Sequence, residues 1–222
     1  MKQRLFVIAF CLTVLVLGIA EYATAAPILN GGFDLIGPNG PSVTNFAHTS
    51  DFSAALGWVQ WALSSGSYVT TTLQASTDPL PGGGGNMIHY LSDGHSWPPD
   101  SMGNGFGQSF SSALLSATVT YDLYVVSGQV TGGLYNDLLL YGNGAFSDFS
   151  YTFGPTNGWI HVTETISHAV AGVAFETLTA TGGAEYYIDN LRVTSAVPEP
   201  STLLLFVSGF AGIGLLRKRL RS

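Results

Sequence analysis

A series of short strand-like segments separated by turns is the feature that most restricts the fold of this chain. Residues 119–126 and 159–166 show partial alternation of apolar and polar side chains with a period of two, as a half-buried strand does. Gly, Asn and Pro residues that favour tight turns stand between the segments, and no stretch of ten or more residues carries a clean apolar stripe of helical period. Strands are predicted near 58–63, 68–74, 86–91, 106–111, 117–126, 136–141, 148–153, 158–166, 170–179 and 185–194. This pattern predicts an all-β domain, a two-sheet jelly-roll sandwich.

Charge is distributed very unevenly along the chain. Residues 26–196 contain twelve Asp and Glu side chains but a single basic one, Arg192. One base cannot neutralise several phosphates, which argues against nucleic-acid binding and against attachment of the domain to an anionic membrane surface. The only cysteine is Cys11, so residues 26–196 can form neither a disulfide nor a cysteine zinc site.

The N-terminus has the three parts of a secretory signal peptide. Lys2 and Arg4 precede an apolar run from Leu5 to Ala20, and Ala23-Thr24-Ala25 supplies the small residues that a signal peptidase reads. The pattern predicts a signal peptide over residues 1–25, cleaved after Ala25. A retained N-terminal membrane anchor is the alternative.

The C-terminus combines a proline-rich entry, an apolar segment and a basic tail. Residues 201–216 would form a helix of roughly 24 Å, at the short limit for crossing a bilayer. Pro198 and Pro200 cannot lie inside a helix and therefore set its start. The basic residues 217–221 are expected to stay cytoplasmic, which leaves the domain outside.

Together these C-terminal residues resemble the PEP-CTERM sorting signal. Pro198-Glu199-Pro200, the short glycine-containing helix and the Arg-rich end occur in the order of that signal over residues 197–222. The resemblance implies a Gram-negative bacterium that makes extracellular polysaccharide. It also implies an inner-membrane intermediate, and recognition by an exosortase that removes the tail. A plain C-terminal anchor is the alternative, and only the Pro-Glu-Pro triplet separates the two.

A second resemblance covers the middle domain, residues 26–196. Its landmarks are a succession of short motifs: Asn30-Gly31-Gly32-Phe33-Asp34, Gly57-Trp58, Gly107-Gln108-Ser109-Phe110, Gly158-Trp159 and residues 185–194. This order resembles carbohydrate-binding modules of the family 4 and 9 type, within the galactose-binding-like jelly rolls.

That resemblance implies a structural calcium ion held by Gly32, Asp34 and Asp189. The Gly32 carbonyl and the two carboxylates would supply oxygen ligands of the kind that calcium prefers. The first and last strands of a jelly roll are expected to be neighbours, which would bring these positions together. The alternative is a capped turn, in which both carboxylates only accept backbone hydrogen bonds.

Sugar binding would depend on aromatic side chains that stack on sugar rings. Trp58 and Trp159 follow glycine at strand starts and are expected in the core. Trp97 lies in a Pro-stiffened loop and is the main predicted platform, with an anchoring role in the loop as the alternative. Trp61 lies three positions after Trp58, so strict alternation places it on the opposite and more exposed face. His95 and Asp93, next to Trp97, complete the predicted ligand-binding set; the other aromatic candidates are Tyr68, Tyr135 and Tyr186.

No catalytic residues are predicted. The five histidines show no metal-ligand spacing, and the chain has no Gly-x-Ser-x-Gly nucleophile motif. The sequence therefore predicts a secreted, surface-sorted, non-catalytic protein that binds carbohydrate in the extracellular matrix of a biofilm. A structural or adhesion protein without sugar binding and a glycan-active enzyme are the alternatives. A row of exposed aromatic side chains on one face of the sandwich would favour the carbohydrate-binding hypothesis.

Overall fold

The computed structural model describes residues 28–46, 49–62, 66–93, 104–114, 116–135, 151–167, 169–177 and 183–195. These residues form the strands β1 (Ser42–Phe46), β2 (Thr49–Phe52), β3 (Val59–Ala62), β4 (Tyr68–Ala75), β5 (Asn86–Ser92), β6 (Asn104–Leu114), β7 (Ala117–Ser127), β8 (Val130–Tyr135), β9 (Tyr151–Phe153), β10 (Ile160–Ile166), β11 (Val170–Thr177) and β12 (Ala184–Ser195). Within those ranges, no helix has the length and apolar character needed to cross a membrane. The predicted signal peptide, C-terminal helix and Pro198-Glu199-Pro200 triplet lie outside the described residues.

The strands form two six-stranded antiparallel sheets. Sheet I has the order β1-β4-β5-β12-β7-β10, and sheet II has the order β2-β3-β6-β11-β8-β9. Strands that follow one another in the chain often lie in different sheets or several positions apart, as in a jelly roll. The predicted all-β jelly-roll sandwich is confirmed.

The main hydrophobic core lies between the inner faces of the two sheets. On β7, Val119, Tyr121, Leu123 and Val125 are buried, while the polar or aromatic residues between them face the other side of sheet I. Trp58 is fully buried and packs between the rings of Phe33 and Phe106, with both ring centroids 5.4 Å away. Large apolar side chains that alternate with outward-facing residues thus supply most of the burial that stabilises the sandwich.

Most predicted strands agree with the structure, but β1, β2 and β8 were not predicted. The segment predicted at 136–141 lies outside the described residues, and β8 directly precedes it. β8 was not predicted because it contains Gly132 and Gly133, and consecutive glycines have low strand propensity. Packing explains both of them: a Cβ at Gly132 would collide with the Phe175 ring, and one at Gly133 would collide with the Glu164 carboxylate.

Candidate functional site

Four aromatic side chains form a continuous row across the outer face of sheet I. They are His89 on β5, Tyr187 on β12, Tyr124 on β7, and Trp159, which directly precedes β10. Tyr187 pairs in register with both His89 and Tyr124, and the pairing of Ile160 with Leu123 places Trp159 opposite Tyr124. We call these four residues the aromatic platform.

The rings of the platform are close together and remain partly exposed. His89 and Tyr187 are stacked with centroids 4.5 Å apart, and Tyr124 lies 6.0 Å from Tyr187. The Trp159 ring lies 6.0 Å from Tyr124 and 6.4 Å from Tyr187. All four side chains are half-buried, so each has surface open to solvent. Four adjacent strands span roughly 14 Å, the size of a short oligosaccharide rather than a single sugar.

Polar groups border the platform on both sides. Glu185 Oε1 lies 3.0 Å from His89 Nε2 and accepts a hydrogen bond from the Tyr187 hydroxyl at 3.3 Å. Desolvation and, as the second cause, the Glu185 charge raise the pKa of Tyr187. The hydroxyl is therefore protonated at neutral pH, as in an ordinary tyrosine, and acts as a donor. On the other side, His161 Nδ1 lies 2.6 Å from Asp122 Oδ1, with the imidazole half exposed. The site therefore offers flat apolar faces flanked by hydrogen-bonding groups.

Strand alternation explains why three of these rings point outward. His89 lies between Ile88 and Tyr90, and each of these neighbours is in the core; Tyr124 and Tyr187 are flanked by core residues in the same way. A side chain between two inward-facing neighbours must face outward in a strand. This signal was available in the sequence, but the alignment of the rings depends on strand register.

Trp58 and Trp159 differ, although each follows a glycine. Trp58 is in the core as predicted, and its Nε1 donates a hydrogen bond to the Asn30 carbonyl at 3.3 Å. The expectation that Trp159 is also a core residue is wrong. In β10, Val162 faces the core, and Trp159 stands an odd number of positions before it, so Trp159 faces outward onto the platform.

The expectation that Trp61 is exposed is also wrong. Trp61 does lie apart from Trp58, on the outer face of sheet II, but it is only 2% exposed. It packs in a second cluster with Tyr135, Ala171 and Ala174. Its ring fits closely over Gly105, where a Cβ would stand 2.9 Å from Trp61 Cζ2. Trp61 therefore has no accessible ring face for sugar stacking in this structure, and the same holds for the fully buried Tyr186.

The remaining residues of the predicted sugar site are only partly described. Asp93 is half-buried at the end of β5, where its Oδ1 accepts a hydrogen bond from the Tyr68 amide at 3.0 Å. This contact gives Asp93 a role in holding β4 against β5. His95 and Trp97 lie outside the described residues, and their roles stay predictions.

Gly32, Asp34 and Asp189 line one cavity of about 430 Å³, together with Gly82, Gly84 and Arg192. The predicted proximity of these positions is present, but for a different reason from the one expected. β1 is separated from β12 by β4 and β5, and it is the turn before β1 that reaches β12. There the Leu191 amide donates to the Gly31 carbonyl at 3.1 Å. Asp189 faces outward because it follows the core residue Ile188, and a register shift in β12 begins directly after it, with Asn190 at a positive φ of 53°.

Both cavity carboxylates already accept hydrogen bonds. Asp34 Oδ1 accepts from the Asn86 amide at 3.2 Å, and Asp189 Oδ1 accepts from the Asn190 amide at 2.6 Å. The Ser76 hydroxyl donates to the second oxygen of Asp189. Burial raises the pKa of Asp189 despite these hydrogen bonds, and the nearby Asp122 adds to the rise. Asp189 and Asp122 are both buried, and buried carboxylates that repel one another form an environment that a cation would stabilise.

Another acidic side chain, that of Asp78, approaches Asp122 and Asp189 from the loop after β4. Burial, with contributions from Asp122 and Asp189, raises the pKa of Asp78 to about 6. Among the described residues, however, no three acidic or histidine side chains converge closely enough to hold a metal ion by themselves. A calcium ion would therefore need carbonyl or water oxygens as further ligands, and the calcium expectation stays a prediction.

Comparison with known proteins identifies the C-terminal segment. Residues 196–219 match the model of the PEP-CTERM protein-sorting motif. The chain carries a PEP-CTERM motif. The match includes Pro198, Glu199 and Pro200, the residues that the sequence singled out, and it confirms the first of the two resemblances. Among curated proteins, none matches this sequence significantly.

Solved structures similar to this chain include carbohydrate-binding proteins. A family 11 carbohydrate-binding module from Clostridium thermocellum, in complex with a β-1,3-1,4-mixed-linked tetrasaccharide, has 14% identity and a TM-score of 0.43 over 66% of this chain and 94% of the module. The CBM22-1 xylan-binding domain from Paenibacillus barcinonensis has 12% identity and a TM-score of 0.44, covering 66% of this chain and 92% of that domain. An arabinose-bound α-L-arabinofuranosidase has 12% identity and a TM-score of 0.47, covering 78% of this chain and 27% of the enzyme. The ligands in these structures are properties of those proteins.

Proposed function

We propose that this chain is exported, sorted to the cell surface through its PEP-CTERM motif, and binds polysaccharide through the aromatic platform. The observation that carries the binding proposal is the platform itself. His89, Tyr124, Trp159 and Tyr187 present partly exposed rings in register across four strands. The ring surface that stays open to water adds nothing to the burial that stabilises the sandwich, whereas a sugar ring can stack on that surface with its apolar face.

The groups around the platform support a binding role over a catalytic one. Glu185 hydrogen-bonds two of the platform residues, and Asp122 is completely buried against His161. Both carboxylates therefore orient neighbouring side chains. We propose that the domain is non-catalytic and that the exported protein associates with extracellular polysaccharide. Exosortase is the proposed processing partner, and the sorting proposal rests on the PEP-CTERM match.

Replacement of Trp159 by alanine is expected to weaken polysaccharide binding with little effect on stability. Loss of one stacking ring should cost roughly 1–3 kcal/mol of binding free energy, by analogy with aromatic stacking on other flat rings. The measurement is isothermal titration of the full-length protein, kept in mild detergent, with a panel of soluble oligosaccharides. Tyr187→Ala should behave in the same way.

Trp58→Ala is the matched control for this experiment. Trp58 is fully buried, so its removal should lower the free energy of unfolding by about 3–5 kcal/mol through the cavity that it leaves. If the oligosaccharides bind wild type and Trp159→Ala with equal affinity, or bind neither, the platform is not a sugar site. A structural or adhesion role then becomes the better account of the domain.

We also propose a structural calcium ion at the cavity that Asp34 and Asp189 share. A ligand that binds only the folded state stabilises it by mass action, so calcium should raise the melting temperature of the full-length protein. Asp34→Asn and Asp189→Asn should each abolish that rise, while Asp51→Asn, on the exposed edge strand β2, should not. Identical melting curves in calcium and in chelator would instead favour the capped turn, since the two carboxylates already accept backbone hydrogen bonds.

A further inference from the structure

We infer that the aromatic platform selects a polysaccharide with free amino groups, which are positively charged when protonated. This inference rests on the proposed function, because it names the class of glycan that the same surface would bind. It is carried by the distribution of charge around the platform and by the hydrogen bonding of Glu185.

The platform has no Lys or Arg side chain that could neutralise an acidic sugar, and the imidazoles of His89 and His161 already contact the carboxylates of Glu185 and Asp122. Arg192 is the only Lys or Arg side chain in residues 26–196. It follows Tyr187 on β12, but Asp189 lies between the two, and the Arg192 guanidinium donates to Asn190 Oδ1 at 3.1 Å on the cavity side. A uronic acid or a sulfated sugar on the platform would therefore meet carboxylates and no counter-ion.

Glu185 places an available carboxylate oxygen at the edge of the platform. Its Oε1 atom contacts both His89 Nε2 and the Tyr187 hydroxyl, which fixes the side chain in place. Among the residues that the structure describes, none hydrogen-bonds the other oxygen, Oε2. The Glu185 side chain is 32% exposed, so Oε2 can accept a hydrogen bond from a ligand. Its negative charge favours a donor that is itself cationic.

The neighbouring rings favour the same kind of ligand. An ammonium group within about 6 Å of the face of a tyrosine or tryptophan is attracted by the ring quadrupole. Tyr187, Tyr124 and Trp159 lie within 6.4 Å of one another, so one ammonium group can approach more than one ring. A neutral sugar can stack on these rings and donate a hydroxyl hydrogen bond to Glu185, but it carries no charge for the carboxylate to attract. An amino sugar gains from the rings and from the carboxylate.

A matched pair of oligosaccharides tests this inference. The glucosamine hexamer and the N-acetylglucosamine hexamer have the same sugar backbone and differ at the nitrogen, which is a chargeable amine in the first and a neutral acetamide in the second. We expect the full-length protein, titrated in mildly acidic buffer with detergent, to bind the amino hexamer about tenfold more tightly. Added salt should reduce this preference, because screening weakens attraction between charges.

Variants separate the amino-sugar inference from the proposed function. Glu185→Gln should bring the two hexamers to similar affinities while binding of the acetylated hexamer persists; Asp51→Asn, elsewhere on the surface, should keep the wild-type preference. Equal affinity of the wild type for both hexamers, or an unchanged preference in Glu185→Gln, overturns the amino-sugar inference and leaves polysaccharide binding intact. If neither hexamer nor any neutral oligosaccharide binds in a way that Trp159→Ala weakens, both proposals fall.

Discussion

The free energy of unfolding of this protein is expected to fall as the pH rises from about 5 to about 8. Two glutamates that are only 2% exposed, Glu164 and Glu176, are the main cause of this behaviour, and the raised pKa values of Asp78 and Asp189 act in the same direction. Burial raises the pKa of Glu176 from 4.5 to about 8, against a smaller opposing effect of a hydrogen bond from Trp61. Burial likewise raises the pKa of Glu164 from 4.5 to about 7, opposed by a hydrogen bond from the Leu134 amide.

The sign of this pH dependence follows from the difference in the number of protons that the folded and unfolded chains bind. Near neutral pH the unfolded chain has lost both protons, whereas the folded chain still holds them, so each rise in pH favours unfolding. The effect starts near the ordinary glutamate value of 4.5 and ends when the folded carboxyls ionise at about 7 and about 8. One pKa unit corresponds to about 1.4 kcal/mol, so each of the two glutamates is expected to contribute a loss of the order of 3–5 kcal/mol across this range.

Urea unfolding of the full-length protein at both ends of this pH range measures the loss. Glu176→Gln cannot ionise and should remove a large part of the pH dependence, and Glu164→Gln should remove a smaller part. Asp51→Asn, on the exposed strand β2, is the control for a changed surface charge. A wild type that is equally stable at both ends of the range, with Gln variants that behave identically, would contradict the assignment.

The second large effect is expected at the PEP-CTERM motif. Replacement of Pro198, Glu199 and Pro200 by alanine should almost abolish C-terminal processing in the native host. The apolar residues 203–216 and the basic tail would still insert into the membrane, because insertion depends on apolar length and positive charge. Under the proposed sorting by exosortase, the triplet would supply recognition, so the uncleaved protein should accumulate in the inner membrane.

Membrane fractionation and the mass of the mature C-terminus measure this outcome. Alanine at Ser201 and Thr202, which changes the flanking polar residues and keeps the triplet, is the matched control. Normal removal of the tail from the triplet variant would show that processing does not depend on the Pro-Glu-Pro triplet, and the exosortase proposal would then be abandoned.

The sequence determined the class of fold because strand alternation and turn chemistry are local properties. Inward-facing Val119, Tyr121, Leu123 and Val125 follow one another at every second position of β7, and this pattern is readable without the structure. The PEP-CTERM motif is also continuous in the chain, which is why its residues could be named from the sequence. β8 was not predicted because its Gly132 and Gly133 weaken the strand signal. Both glycines are required by close contacts with Phe175 and Glu164, which are distant in sequence.

The exposure of the tryptophans could not be predicted from local sequence patterns alone. Alternation correctly separated Trp61 from Trp58, but only the tertiary structure shows that the outer face of sheet II is itself covered at Trp61. The glycine before Trp159 suggested a core residue by analogy with Trp58. The register of β10 decides otherwise, because the same dipeptide can start a strand with either face inward.

What the sequence determined by itself is therefore the class of fold and the alternation within a regular strand such as β7, and what only the tertiary structure decided is which side chains are exposed and which of them are neighbours. His89, Tyr124, Trp159 and Tyr187 come from four strands that are far apart in the chain. They form one platform because antiparallel pairing sets β12 between β5 and β7, with Tyr187 opposite both His89 and Tyr124. Asp34 and Asp189 likewise share a cavity because the turn before β1 packs against β12. Pairing between distant strands is set by the packing of the whole core, and a shift of one residue would move every outward ring to the inside.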